Sequence, residues 1–283
     1  MERICDLHVH STFSDGTLTP ARLVRLAQEL QISAVALCDH NTVAGLPEFL
    51  DAARGSALWA IPGIEFSTDY RGGELHILGL FIDASHYTAV TQRVEQMLQW
   101  KEQSNRDLVA GLKTAGIELD YDRIKAGTPG GTVNRAVIAA EMVRLGYCAS
   151  VKEAFSNWLS EKHGYFHPPR RPDAMETITF IKSIGAVAVL AHPFLNLDEQ
   201  DLRDFLPGAV DKGLDAMETY YPKFTDDQCL LAGRIAEEFG LLPSGGSDFH
   251  GANKPDIAMG TGRGNLMIPV SVADGLYEKR GAN

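Results

Sequence analysis

The sequence predicts an α/β barrel on three observations. Short apolar strands alternate with helical stretches, metal-ligating residue types stand at the strand ends, and 283 residues suit one closed barrel of ordinary size. The strand candidates are Ile4–Leu7, Ala34–Cys38, Leu58–Ile61, Leu75–Ile82, Ala186–Ala191, Ala216–Glu218 and Leu241–Ser244. Several are too apolar for a solvated face, so a parallel sheet covered on both sides is expected. Thr19 and Pro20 open the first helix as cap and first-turn proline. Asp173 with Glu176 and Thr225 with Gln228 read as capping boxes, and Gly240 stands where a helix stops.

One stretch breaks the alternation. From Ala84 to Arg171 the apolar residues follow helical spacing: Val90, Val94, Leu98, Leu108 and Leu112, then Val151, Ala154, Phe155, Trp158 and Leu159 after a Ser150/Glu153 capping box. Gly127–Thr132 reads as a loop without the strand context or lysine of a phosphate-binding loop. The expected organisation is a barrel of residues 1–83 and 172–283, interrupted by an inserted α-helical subdomain, 84–171, that serves as a substrate cap.

Composition narrows the function. The formal net charge is −11, with no basic run longer than Arg170-Arg171, which opposes a duplex DNA partner. The longest apolar run, Ala186–Ala191, is far short of the roughly 20 residues of a membrane span. Four cysteines stand singly, and the first residues carry no apolar signal core, so a cytoplasmic protein is expected.

The strand ends carry the chemistry. Asp6-Leu-His8-Val-His10 puts two imidazoles at a spacing of two, able to reach one ion, and Asp15 follows in the next turn. Cys38-Asp39-His40, Pro62-Gly-Ile-Glu65, His76 at the start of a strand, Ala191-His192-Pro193 and Ser247-Asp248-Phe249-His250 supply the rest. A barrel brings strand ends to one mouth, which would gather about nine N/O ligands without a thiolate. That set suits two or three divalent ions such as Mn, Fe or Zn. Asp39 precedes His40 and should point away from it, in a supporting role.

These motifs, Asp-Leu-His-Val-His-Ser-Thr-Phe-Ser-Asp-Gly, Cys-Asp-His-Asn, Pro-Gly-Ile-Glu-Phe-Ser, Leu-Ala-His-Pro and Gly-Gly-Ser-Asp-Phe-His-Gly, resemble in order those of the PHP (polymerase and histidinol phosphatase) phosphoesterases. The likeness covers nearly the whole chain. It is strongest to the branch with a helical insertion, which includes nucleoside bisphosphate phosphatases, cyclic phosphodiesterases and short-RNA exonucleases. It implies a distorted (β/α)7 barrel with a trinuclear site. His8, His10, Glu65 and Asp248 would hold one ion, and Glu65 would bridge to a second held by His76 and His192. Asp15, His40 and His250 would hold the third.

Three dications against three ligand carboxylates leave the mouth positive, so an acidic chain can take a phosphate without a basic surface. The implied enzyme is a metal-dependent phosphoric ester hydrolase using a metal-bridging hydroxide. His192, Asp248 and Arg135 stand at the reaction, Asp248 as a candidate proton donor to the leaving oxygen. Arg135, Arg170, Arg171, Lys223 and Lys254 are candidates for holding phosphate, and Arg135 aligns with an arginine that relatives use there. Where many relatives continue with Pro-His, this chain has Ala136 and Val137. Phosphomonoester hydrolysis of a nucleotide or sugar bisphosphate stands first, with a cyclic phosphodiesterase or a 5'-3' exoribonuclease on short single-stranded RNA as the alternative. A C–N amidohydrolase and a non-catalytic metal module are the other classes. The first would want a bridging lysine where Glu65 stands, and the second would show missing ligands.

Overall fold

The computed structural model describes residues 3–128 and 133–280. The chain divides into two compact units, Met1–Val94 with Pro172–Asn283, and Glu95–Arg171. In chain order the elements are β1 (Cys5–Val9), α1 (Pro20–Glu29), β2 (Ala34–Leu37), α2 (Leu46–Ala53), β3 (Trp59–Tyr70) and β4 (Gly73–Leu80). The helices α3 (Tyr87–Thr114), α4 (Tyr121–Gly127), α5 (Arg135–Arg144) and α6 (Val151–Ala154) follow. The chain ends with α7 (Ala174–Ser183), β5 (Val187–Leu190), α8 (Glu199–Asp211), β6 (Ala216–Tyr220), α9 (Asp226–Glu238), β7 (Leu242–Gly245) and α10 (Ser271–Arg280).

The first unit is a seven-stranded sheet in the order β1 to β7, and a parallel bridge from Val9 to Phe249 brings its two edges together as a nearly closed α/β barrel. Helix starts are built as the sequence suggests, except that Asp173 caps α7 by accepting from Met175 N and Glu176 N while the Glu176 carboxylate accepts from Arg93 instead of closing a box. Thr19 accepts from Arg22 N ahead of Pro20, and the Thr225–Gln228 box is formed in both directions. The inner wall is lined by small and branched residues, Ala34, Ala36, Leu78, Val187, Val189 and Ala216, closed by Val272, Ala273 and Leu276 of α10.

The expected all-parallel sheet is corrected by β4, which runs antiparallel to both β3 and β5. The cause is local. Arg71 and Gly72 take φ of +53° and +84°, a two-residue hairpin turn that needs no crossover helix. An antiparallel strand brings its beginning to the mouth, which is why His76, early in β4, lies opposite Ser67.

Strand β3 is longer than expected. It pairs parallel with β2 up to Pro62, then antiparallel with β4 from Gly63, so Glu65 lies within the strand. Gly63 sits at the changeover, where a Cβ would come within 2.9 Å of Cys38 Sγ and 3.0 Å of Leu37 O. On β1 the register to β2 shifts between Asp6 and Val9. A shift of this kind turns side chains to new faces. Asp6 and His8, two apart, accordingly meet different partners.

The second unit has its own core, including Leu108, Leu112, Ile138, Met142 and Leu159. Ser150 caps α6, while Glu153 accepts from Ala149 N. A π turn, Phe155–Leu159, then replaces the expected continuous α-helix. The second unit begins at Glu95, inside α3 and eleven residues beyond the start expected at Ala84. Of the expected Gly127–Thr132 loop, Gly127 ends α4 and Thr128 caps it, while residues 129–132 lie outside the described residues. Among the described residues no helix is long and apolar enough to cross a membrane.

Candidate metal centre

Five imidazoles converge on one buried carboxylate. Glu65 Oε2 lies 3.2 Å from His8 Nε2, 3.3 Å from His10 Nε2 and 3.0 Å from His40 Nδ1. Glu65 Oε1 lies 2.7 Å from His76 Nδ1 and 3.1 Å from His192 Nε2. Beside them Asp15 Oδ1 is 3.2 Å from His250 Nε2 and 3.7 Å from His10 Nδ1, and its Oδ2 is 3.9 Å from His40 Nε2. Asp248 Oδ1 completes the ring at 3.3 Å from His10 Nε2 and 3.4 Å from His250 Nδ1. All nine residues read from the strand ends thus stand together.

Three donor groups have ligand atoms within 4.8 Å of one another: His10, Asp15, His40 and His250; His8, His10 and Glu65; and His40, Glu65 and His76. Among the described residues His8 Nε2, both ring nitrogens of His10, His40 Nδ1 and Glu65 Oε2 are buried with no hydrogen-bond partner. Buried polar atoms are rarely left so, and a lattice of imidazole and carboxylate donors fits divalent cations.

The backbone bends to make this cluster. His192 and Asp248 take φ of +28° and +55°, a region that non-glycine residues enter at a cost. Two glycines let the chain close in. A Cβ on Gly246 would lie 2.4 Å from His8 Cβ, and one on Gly16 would lie 2.3 Å from His10 O. Asp39, almost wholly buried, accepts from Ser11 N, Ser11 Oγ and Ser14 Oγ at 2.7, 2.6 and 2.6 Å, and so pins the loop that carries Asp15.

The electrostatics follow from crowding. Burial alone would lower the His76 pKa, but the charge and hydrogen bond of Glu65, with help from Glu74, bring it up to about 10. For His10 burial prevails and the pKa falls to about 3. Burial works against the Glu65 and Asp248 carboxylates, yet the surrounding imidazoles hold both well below the ordinary range. Asp248 also uses its second oxygen fully. Oδ2 accepts from Tyr221 OH and Lys254 Nζ, each at 2.7 Å.

A cavity of about 410 Å³ opens on this cluster, lined by His40, Glu65, His76, His192, Tyr221 and Asp248 together with Lys223, Lys254 and Asn196. Arg135, Arg170 and Arg171 belong to the second unit. There the Arg135 guanidinium stacks 3.9 Å over Phe166 and donates to Leu159 O at 3.2 Å, and Arg170 lies 5.6 Å over Trp100.

Sequence reasoning missed Glu218 and Asp6. Fully buried Glu218 on β6 lies 2.9 Å from His8 Nδ1 and accepts from His192 N at 2.7 Å. Its signal was the one that exposed Glu65, a carboxylate closing a strand candidate, here Ala216–Glu218. Asp6, also fully buried, ties β1 to Ser247 and Gly260.

Known proteins align with this chain over these same elements. A 5'-3' exoribonuclease from Haemophilus influenzae is 35% identical over 251 residues, 88% of this chain and 91% of that protein. A 3',5'-nucleoside bisphosphate phosphatase from Chromobacterium violaceum is 28% identical over 251 residues, covering 87% of this chain and 86% of its own. A crystal structure from Bifidobacterium adolescentis, described as a metal-dependent phosphoesterase, superposes with a TM-score of 0.78 at 26% identity over 98% of this chain and 96% of that one. The PHP domain family matches residues 6–163, more than half the chain and a span that holds six of the nine clustered residues. The chain belongs to the PHP domain family and is a metal-dependent phosphoesterase.

Proposed function

We propose that the chain removes nucleotides from the 5' end of short RNA, by hydrolysing a phosphodiester at the barrel mouth. The observation that carries this reading is the 410 Å³ cavity, which sets Lys223 and Lys254 beside the imidazole–carboxylate cluster. Its size falls among small-ligand sites and suits a chain end rather than a duplex. The exoribonuclease similarity over 88% of the chain supports the diester over the monoester that the sequence placed first.

His8, His10, Glu65 and Asp248 would hold one ion, His76 and His192 a second shared through Glu65, and Asp15, His40 and His250 a third. Bound there, such ions supply Lewis acidity: they neutralise phosphate oxygens and bring the pKa of water down toward about 7. The chain's own groups do the rest. Lys223 and Lys254 meet the phosphate, and Asn196 offers an amide to the sugar or base. Asp248, with one oxygen toward the imidazoles and the other held by Tyr221 and Lys254, stays ionised and serves better as a ligand than as a proton donor. Arg135 is retained as a candidate for phosphate in the second unit. Four free thiols support a reducing, cytoplasmic setting.

The bisphosphate phosphatase relative supports a second reading, loss of a phosphate from a nucleoside bisphosphate. Both are tested by one panel with Mn²⁺-loaded protein: a 5'-phosphorylated RNA trimer, a cyclic nucleotide and a 3',5'-bisphosphate. Release of 5'-mononucleotides from the trimer is expected. Turnover of the bisphosphate with an intact trimer would overturn the exonuclease reading in favour of the phosphatase.

A further inference from the structure

We propose that Glu218 is the positioning residue of the metal centre: one carboxylate sets the rings of His8 and His192 on opposite oxygens of Glu65. The proposal rests on the reading of His8, His192 and Glu65 as ligands. Glu218 is itself no member of the donor groups around Glu65 or Asp15.

A fully buried carboxylate is costly unless donors meet both oxygens. Glu218 has one on each. Oε1 faces His8 Nδ1 at 2.9 Å, and Oε2 accepts from His192 N at 2.7 Å. An acceptor at Nδ1 keeps a ring proton there, which leaves the lone pair of His8 on Nε2, the nitrogen 3.2 Å from Glu65 Oε2. Once the ring is neutral, as an ion would require, His8 therefore offers Nε2 as the base rather than an N–H.

The second contact acts through backbone. His192 precedes Pro193 and holds φ at +28°, a conformation that needs outside support. The bond from its N–H to Glu218 supplies that support, and the bent chain delivers His192 Nε2 to 3.1 Å from Glu65 Oε1. Adjacent strands make this possible: β6 lies next to β5, so a residue two past Ala216 reaches the end of β5. By contrast His10, Asp15, His40 and His250 make no contact with Glu218 among those described.

Glutamine is the decisive replacement because it keeps the volume. Its amide has one acceptor and one donor. Turned one way, the NH2 meets the His192 N–H. Turned the other, it donates to His8 Nδ1 and drives the ring proton to Nε2. Either orientation disables one of the two imidazoles across Glu65.

The test compares wild type and Glu218→Gln, loaded with Mn²⁺, dialysed, and measured for ion content and Mn²⁺ affinity, with urea unfolding in EDTA alongside. Glu218→Gln is expected to keep the ion at Asp15, His40 and His250 and to bind at the Glu65 positions about 10–100-fold more weakly. Equal stoichiometry and affinity in a folded variant would overturn the proposal. So would simultaneous loss of every ion, which a general structural role predicts. A wild type that binds no Mn²⁺ would overturn the ligand reading itself, a result distinct from either. Should the variant not fold, nitrogen NMR of Zn²⁺-loaded wild type decides: a ring proton on His8 Nδ1 is expected, and one on Nε2 refutes the assignment.

Discussion

Replacing Asp6 with asparagine separates the frame of the site from its ligands. The side chain is fully buried and has four donors around it. Oδ1 accepts from Ser247 N at 2.8 Å and His8 N at 3.4 Å, and Oδ2 from Ser247 Oγ at 2.5 Å and Gly260 N at 2.7 Å. Asparagine keeps the shape and loses one acceptor. With its NH2 on the Oδ1 side, two backbone N–H groups are stranded. With the NH2 on the Oδ2 side, the Ser247 hydroxyl can turn to accept and only Gly260 N–H is left, so this orientation wins. One orphaned buried donor costs about 1–3 kcal/mol. The substitution is therefore expected to cost about 2 kcal/mol, and Asp6→Ala, which strands all four donors, about 4 kcal/mol. In urea, with a slope of about 1–3 kcal/mol per molar, the asparagine variant moves the midpoint down by roughly 1 M. Unfolding followed by circular dichroism in EDTA removes any contribution from bound ions. An asparagine variant within about 0.5 kcal/mol of wild type, or an alanine variant no worse than it, would refute the reasoning.

Two further outcomes follow from the site. His76, brought up to about 10 against the 6.5 of a free imidazole, carries a proton at neutral pH before any ion binds. Its contribution to the metal-free fold is complete below pH 6.5 and fades as pH rises through about 10. Metal affinity runs the opposite way and climbs over that range, with about one proton released per ion at the Glu65–His76 position near pH 7. Calorimetry in buffers of different ionisation heat measures this, and heats independent of buffer would contradict it. Gly246→Ala would place a Cβ 2.4 Å from His8 Cβ and 2.5 Å from His8 N, where the backbone cannot yield cheaply. A loss of about 3 kcal/mol or a failure to fold is expected, read as a drop in melting temperature, and an unchanged value would rule out the tight approach.

The candidate ligands were legible in the chain because divalent-ion chemistry favours imidazole and carboxylate, and because a barrel gathers strand ends at one mouth. His8, His10, Asp15, His40, Glu65, His76, His192, Asp248 and His250 could all be named from local pattern alone. Helix starts were legible too, since Thr225 and Gln228 act on neighbours three residues away. Glu218 was not, although it closes a strand candidate as Glu65 does. Its meaning lies in His8 and His192, 210 and 26 residues distant along the chain.

Strand direction was hidden for a related reason. Buried strands look apolar whether parallel or antiparallel, so the reversal of β4 depended on two residues, Arg71 and Gly72, with left-handed backbone. Sequence by itself determined which side chains could bind cations and that a barrel would gather them at one mouth. Only the tertiary structure decided which oxygen each imidazole meets, which partners Glu218 and Asp6 take, and where the β1 register shifts. Those are distances between segments remote in sequence, set by packing and register, and no local pattern of residues encodes them.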